Sequence, residues 1–164
     1  MATTEIVDIV DRNNSIIGSA SVAEAHEKKL THRVSGVFVF DADGSLYLQT
    51  GNKYGKLDLP VGGHVQQGET YEDAAKREML EEIGLDVPLH IVTTFLPVNA
   101  KLGHFWRLFT ATAPKGWQFE ATEEVSSLSK FSLDTIKQKM QSDPDSFTHG
   151  FMNAMTEFLR VKNV

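Results

Sequence analysis

Apolar residues fall in short runs of strand length through most of the chain, broken by polar turns and by four stretches read as helical. Glu5 to Val10 and Ser15 to Gly18 read as two strands around the turn Asp11-Arg12-Asn13-Asn14, and Ser21 is placed to cap a short helix through about Glu27. Val34 to Phe40 is a strongly apolar strand; Asp41-Ala42-Asp43-Gly44 turns it into Leu46 to Gln49. Asn52 to Lys56 reads as a polar loop before a short Leu57-Asp58-Leu59 strand, and Pro60-Val61-Gly62-Gly63 as a turn. His90 to Leu96 and Phe105 to Thr112 are strands joined by a turn over Asn99 to Gly103. An edge segment from Val125 to Phe131 precedes helices over about Leu133 to Gln141 and Asp145 to Val161.

The second helical stretch along the chain carries the chemistry. A helix starting near Thr70, with Asp73 completing a variant capping box, sets Glu78, Glu81 and Glu82 at i, i+3 and i+4, on one stripe. Met79, Leu80 and Ile83 fall roughly 100° or more around the wheel and are expected to pack the helix on a sheet. Like charges at i,i+4 repel, so three carboxylates on one stripe point to a cation between them. Oxygen donors favour Mg²⁺ or Mn²⁺. Arg77 is spaced to pair with Glu81 at i+4 or with Glu69 across the preceding loop. The plain alternative is a solvated acidic helix with an ordinary ion pair.

Gly63, Glu69, Arg77, Glu78, Glu81, Glu82 and Gly84, with aliphatic Met79 and Leu85, stand at the spacing of the Nudix box, and residues Gly63 to Leu85 resemble that motif at every fixed position. Average residue usage would produce the coincidence on the order of once per million chains. The resemblance implies an α/β fold, the Nudix α/β/α sandwich with a mixed sheet between helices. Periodicity alone reaches an α/β layered architecture and leaves the topology open. The resemblance also implies cleavage of the pyrophosphate in a nucleoside diphosphate linked to a further group. Its metal ligands would be Glu82, Glu81 and the Gly63 carbonyl. Glu78 would be a ligand or the general base, Glu69 an outer ligand, and Arg77 would hold the glutamates in place. Family members recruit one more acid after the box; Glu120, Glu123 and Glu124 occupy that window, with Glu123 or Glu124 the choice.

A narrower resemblance covers the chain to about Phe131. Val7-Asp8 to Gly18, His26 and His32-Arg33 ahead of a strand are similar to the Nudix branch that includes isopentenyl-diphosphate isomerase. There, histidines matching His26, His32 and His64 bind a divalent metal, which makes these three a candidate second metal site; here one residue fewer separates the first two. Surface or capping roles are the plain alternative for each. The isomerase's cysteine would stand at Gly62, and the chain contains no cysteine. Its Glu-x-Glu metal ligands have no counterpart around Leu102-Gly103-His104, while the box degraded in the isomerases is complete here.

Composition narrows the rest. At 164 residues the expectation is one domain over 1–164, with an N-terminal hairpin extension over about 1–32. Cysteine nucleophiles, disulfides and zinc-thiolate sites are excluded. A formal charge of −6 argues against nonspecific nucleic-acid binding and for a small-molecule pyrophosphate substrate neutralised by a cation. No apolar run approaches membrane-spanning length and the N-terminus lacks a signal-peptide pattern, so the expected location is cytoplasmic. Arg33, Lys53, Lys56 and Arg107 are candidates to meet phosphates, and Phe95, Phe105 or Trp106 to stack on a base, each against a structural alternative. An isoprenoid isomerase and a noncatalytic binding module remain open beside the hydrolase.

Overall fold

The computed structural model describes residues 3–98 and 103–164. Its strands are β1 (Ile6–Val10), β2 (Ile16–Ser21), β3 (His32–Phe40), β4 (Leu46–Thr50), β5 (Val61–His64), β6 (His90–Phe95), β7 (His104–Thr112) and β8 (Ser127–Phe131). The helices are α1 (Val22–Glu27), α2 (Tyr71–Ile83), α3 (Leu133–Ser142) and α4 (His149–Lys162). The strands form one mixed sheet organised around β3, which runs parallel to β7 from His32↔His104 to Phe40↔Thr112 and antiparallel to β1, β4 and β5.

Alternation along β3 and β7 sorts the core into two layers. Val37, Val39, Phe109 and Ala111 face α2, where they meet Tyr71, Ala74, Ala75, Met79 and Ile83. Val34, Phe38, Trp106 and Leu108 face the other way, onto Ile136 of α3 and Phe151, Ala154, Met155 and Phe158 of α4. The sheet thus lies between helices, the α/β arrangement expected. A smaller cluster of Val7, Ile9, Ala20 and Ala25 packs the β1–β2 hairpin against α1. None of the helices is long and apolar enough to cross a membrane among the described residues.

Four expectations change. Val61 to His64 is a strand, not a turn: it pairs with β3 from Val37↔Val61 to Val34↔His64. Two glycines hide its strand character, and the facing strand supplies the order. Leu57 to Leu59, by contrast, makes only isolated bridges, Gln49↔Asp58 on one side and Leu57↔Phe147 on the other. The last helix begins at His149, because Phe147 is drawn out to meet Leu57 and Thr148 becomes the cap, accepting from Phe151 N–H at 3.2 Å. Leu80 is 58% exposed, while the inward face of α2 carries Glu78 and Glu82 alongside Met79 and Ile83. The turn expected over Asn99 to Gly103 lies outside the described residues except for Gly103.

Candidate active site and metal centre

Local signals fix both ends of α2. The Thr70 hydroxyl accepts from Asp73 N–H at 3.0 Å, and Gly84, left-handed at φ 66°, closes the helix with its N–H to the Leu80 carbonyl. Between these ends Glu78 and Glu82 lie one turn apart on the buried face, toward β5. The Gly62 N–H donates to Glu82 Oε2 at 2.9 Å. Gly63 lies so close to Glu78 that an added Cβ would overlap its carboxylate, so any larger residue there would have to displace the Glu78 side chain.

A third acid comes from the chain after β7. Thr122 donates its hydroxyl to the Glu82 carbonyl at 2.7 Å and accepts from Val125 N–H at 3.1 Å, which turns Glu124 toward α2. Glu78, Glu82 and Glu124 each bring a carboxylate oxygen to within 4.8 Å of the others. Burial pushes the Glu78 carboxyl up to about 7, against the Arg77 guanidinium and with the help of the Glu81 and Glu124 charges. Glu82 rises further, to about 9, from burial and the charges of Glu78, Glu124 and Asp58, opposed by the Gly62 N–H. Such a group of oxygens is under-neutralised by the protein alone, which is the state a divalent cation relieves.

Arg77 ties the cluster to the loop before the helix. Its Nε donates to Glu69 Oε1 at 2.7 Å, Nη1 to Glu78 Oε1 at 2.9 Å and to Glu81 Oε2 at 3.4 Å, and Nη2 to the His64 carbonyl at 3.2 Å. Both pairings expected for Arg77 are therefore made. Burial opposes the charged form of Glu69, but Arg77 and the Gln66 N–H hold its carboxyl below the ordinary range. Glu81 stands at the rim, about half exposed, in the cleft that Glu78 and Glu82 also line.

Two clefts meet at this cluster, sharing Gly62, Glu82 and Glu124. One, of about 820 Å³, runs over the box and is also lined by Thr3 to Ile6. The other, of about 610 Å³, is lined by Lys56, Asp58 and Tyr54, by Thr148 to Gly150 at the start of α4, and by the edge of the largely buried Trp106. Lys53 packs over the Tyr54 ring at 5.0 Å, and Phe95 stacks on Trp106 at 6.5 Å. Arg33, Phe105 and Arg107 line neither cleft. Arg33 and Arg107 instead flank the Tyr71 ring, Arg33 bonding to Asn14 and Arg107 to Thr94, and the Phe105 carbonyl accepts from the Tyr71 hydroxyl. Glu123 lines an adjoining depression with Gln49, Lys53 and Glu124 but is not among the three acids that converge, and Glu120 is exposed.

On the opposite face of β5, set by the two-residue alternation, His64 joins a second group. His26 of α1, His32 of β3, His64 and His104 of β7 have ring centroids between 4.6 and 6.0 Å apart. Each offers one nitrogen within 4.8 Å of the rest. His32 Nδ1 donates to the Leu30 carbonyl at 2.8 Å, which leaves Nε2 with its lone pair. The Nε2 atoms of His26, His32 and His104 are buried with no hydrogen-bond partner among the described residues. Burial and mutual repulsion lower His64 to about 4 and His104 to about 3, and burial lowers His32 as well, which favours the neutral imidazole at these three. His104 had no signal in the linear sequence: only the parallel register His32↔His104 brings it in.

Comparison with known proteins bears on the family and the fold. The NUDIX domain model matches residues 30–151. The chain is 34% identical over 157 residues to isopentenyl-diphosphate Delta-isomerase 2 of Photorhabdus laumondii, covering 90% of this chain and 88% of that protein. It is 39% identical over 155 residues to an uncharacterized Nudix hydrolase of Nostoc sp., covering 88% and 90%. In fold it is similar to the Deinococcus radiodurans protein DR0079, with TM-score 0.76 and 21% identity over 97% of this chain and 98% of the other. The MutT protein of Methanosarcina mazei follows at TM-score 0.64 and 18% identity, over 81% and 94%. With the box complete and the domain match spanning most of its length, the chain belongs to the Nudix family.

Proposed function

We propose that the protein is a divalent-metal-dependent hydrolase that cleaves the pyrophosphate linkage of a small nucleoside diphosphate derivative. The observation that carries this reading is the convergence of Glu78, Glu82 and Glu124 beside Gly63, where two clefts meet. Glu78, Glu82, Glu124 and the Gly63 carbonyl would hold Mg²⁺ or Mn²⁺, with Glu81 and Glu69 as outer contacts. The cation, when bound, neutralises phosphate oxygens and acidifies a water. Arg77 keeps the carboxylates in one arrangement, the polar cleft takes the diphosphate, and one acid of the cluster accepts the proton of the attacking water. That water forms a new P–O bond as the bridging P–O bond breaks, and the two phosphate-bearing halves leave. An isomerase reading fares worse, because Gly62 stands where the resemblance calls for a cysteine. The test is phosphate or phosphomonoester release across nucleotides, nucleotide sugars and dinucleotides with Mg²⁺ or Mn²⁺, for the parent and Glu82→Gln. Equal release by both proteins, or none from any compound, would sink the hydrolase reading.

The four histidines form a second metal site in the same reading. Three orphaned, buried nitrogens fit a metal better than a polar core, since an unpartnered buried nitrogen costs about 1–3 kcal/mol. An all-imidazole donor set without carboxylates suits a late first-row ion such as Zn²⁺ rather than Mg²⁺. Four protein donors leave no open position, so the ion would bolt α1 to the sheet rather than take part in turnover.

A further inference from the structure

We propose that Asp58 reads the ring carried by the pyrophosphate, selecting a planar nitrogen heterocycle that presents an N–H donor, namely a nucleobase with an exocyclic amino group. The inference rests on the hydrolase reading only for where the diphosphate lies. Because the two clefts share Gly62, Glu82 and Glu124, a diphosphate on the acidic cluster has one organic arm directed into the cleft bordered by Trp106. That cleft, at about 610 Å³, lies in the range of small-ligand sites.

The indole is built to stay in place. Phe95 stacks beneath it at an interplanar angle of 19°, and Gly36 yields it room, since a Cβ there would come to 2.9 Å of the ring. Only the part of the indole that borders the cleft is open, 9% of the residue, and it offers an apolar edge for a flat ring to pack against. Asp58 is equally fixed. Its Oδ1 accepts from Leu59 N–H at 2.8 Å and from the Thr148 hydroxyl at 2.7 Å, while its main chain pairs with Gln49 on β4. Thr148 is itself held as the cap of α4. Oδ2 has no partner among the described residues, in a side chain that lines the cleft.

A carboxylate cannot ligate phosphate, and against a prenyl chain it would be desolvated with nothing to accept from. An N–H donor meets its need. Lys56, two residues earlier, lines the same cleft and brings a donor into it, which suits a ring that carries a nitrogen or carbonyl acceptor as well as an amino group. Burial raises the Asp58 carboxyl above its ordinary value in spite of the bonds from Thr148 and Leu59, and a further donor would reverse that.

The experiment is calorimetric titration of the full chain in Mg²⁺ with non-hydrolysable α,β-methylene nucleoside diphosphates in matched pairs, adenosine against purine riboside and guanosine against inosine. The amino-bearing member of at least one pair is expected to bind about tenfold tighter. In Asp58→Asn that ratio should fall towards one, with the melting temperature reporting that the variant is folded. The parent comparison stands alone should the variant not fold. Equal affinities in every pair, or no binding of any analogue, would overturn the proposal, the former leaving the carboxylate to a ribose hydroxyl. Phosphate release from the hydrolysable diphosphates is followed in parallel. Release without discrimination sinks the role of Asp58 and keeps the hydrolase; discrimination without release does the reverse.

Discussion

Gly63 on β5 and Glu78 on α2 approach so closely that the glycine's missing side chain is the space the Glu78 carboxylate occupies. The contact sets the strand and the acidic helix face at one distance, and Glu78 belongs to the acidic cluster proposed to hold a cation. Gly63→Ala should therefore displace Glu78 while leaving the sheet intact, because the part that must yield is a side chain. A displacement of this kind is expected to lower turnover about 100-fold. Release kinetics, with circular dichroism to show the fold retained, check this; parent-level turnover would count against the assigned geometry.

The pKa shifts give the metal-free protein a stability profile with a definite sign. Glu78 and Glu82 are raised from 4.5 to about 7 and about 9, so the native state binds more protons than the unfolded chain and stability falls as pH climbs through that window. His64 and His104, lowered from 6.5 to about 4 and about 3, act oppositely: they add stability as pH rises toward 6.5 and nothing beyond it. Above pH 6.5 only the carboxyls remain. With chelator present, the melting temperature should drop between pH 6.5 and 9, Mg²⁺ should reduce that drop, and Glu82→Gln should flatten it. A level profile in chelator would show that burial of the pair is not felt.

What the linear sequence discloses here follows how local each signal is. The acidic stripe of α2 is legible because a 3.6-residue period and a Thr70 cap depend on neighbours in sequence. Glu124 is not separable from Glu123 that way, since the difference is made by Thr122 reaching the Glu82 carbonyl, forty residues away. His104 depends on a parallel register with β3, and β5 on a partner strand that overrides its glycines. Leu80 shows the opposite error: a helical wheel reports a residue's angle, and the angle that α2 buries is chosen by the sheet, which takes in Glu78 and Glu82 and leaves Leu80 outside.

Arg77 reaches Glu69, Glu78, Glu81 and the His64 carbonyl through three nitrogens of one planar group. A lysine retains the charge but offers one compact ammonium, which satisfies a single carboxylate and releases the others. Arg77→Lys should weaken apparent Mg²⁺ affinity about 10- to 100-fold, the usual cost of losing an orienting partner of a ligand. The Mg²⁺ dependence of release rate is the measurement, and an unchanged midpoint would show that the carboxylates hold their positions without the guanidinium.

His104 tests the second metal site apart from the first. It lies on β7, on the opposite sheet face from the acidic cluster, and it contributes one of the three orphaned nitrogens. The purified protein is expected to carry or take up one late first-row ion, seen by elemental analysis and as tetrahedral visible absorption with Co²⁺. His104→Ala should lose the tetrahedral spectrum and weaken Zn²⁺ binding by at least about tenfold. Because the ion would hold α1 against β3, β5 and β7, adding Zn²⁺ should raise the melting temperature of the parent and not of the variant. No metal uptake and no thermal shift in the parent would reduce the cluster to four imidazoles packed against one another.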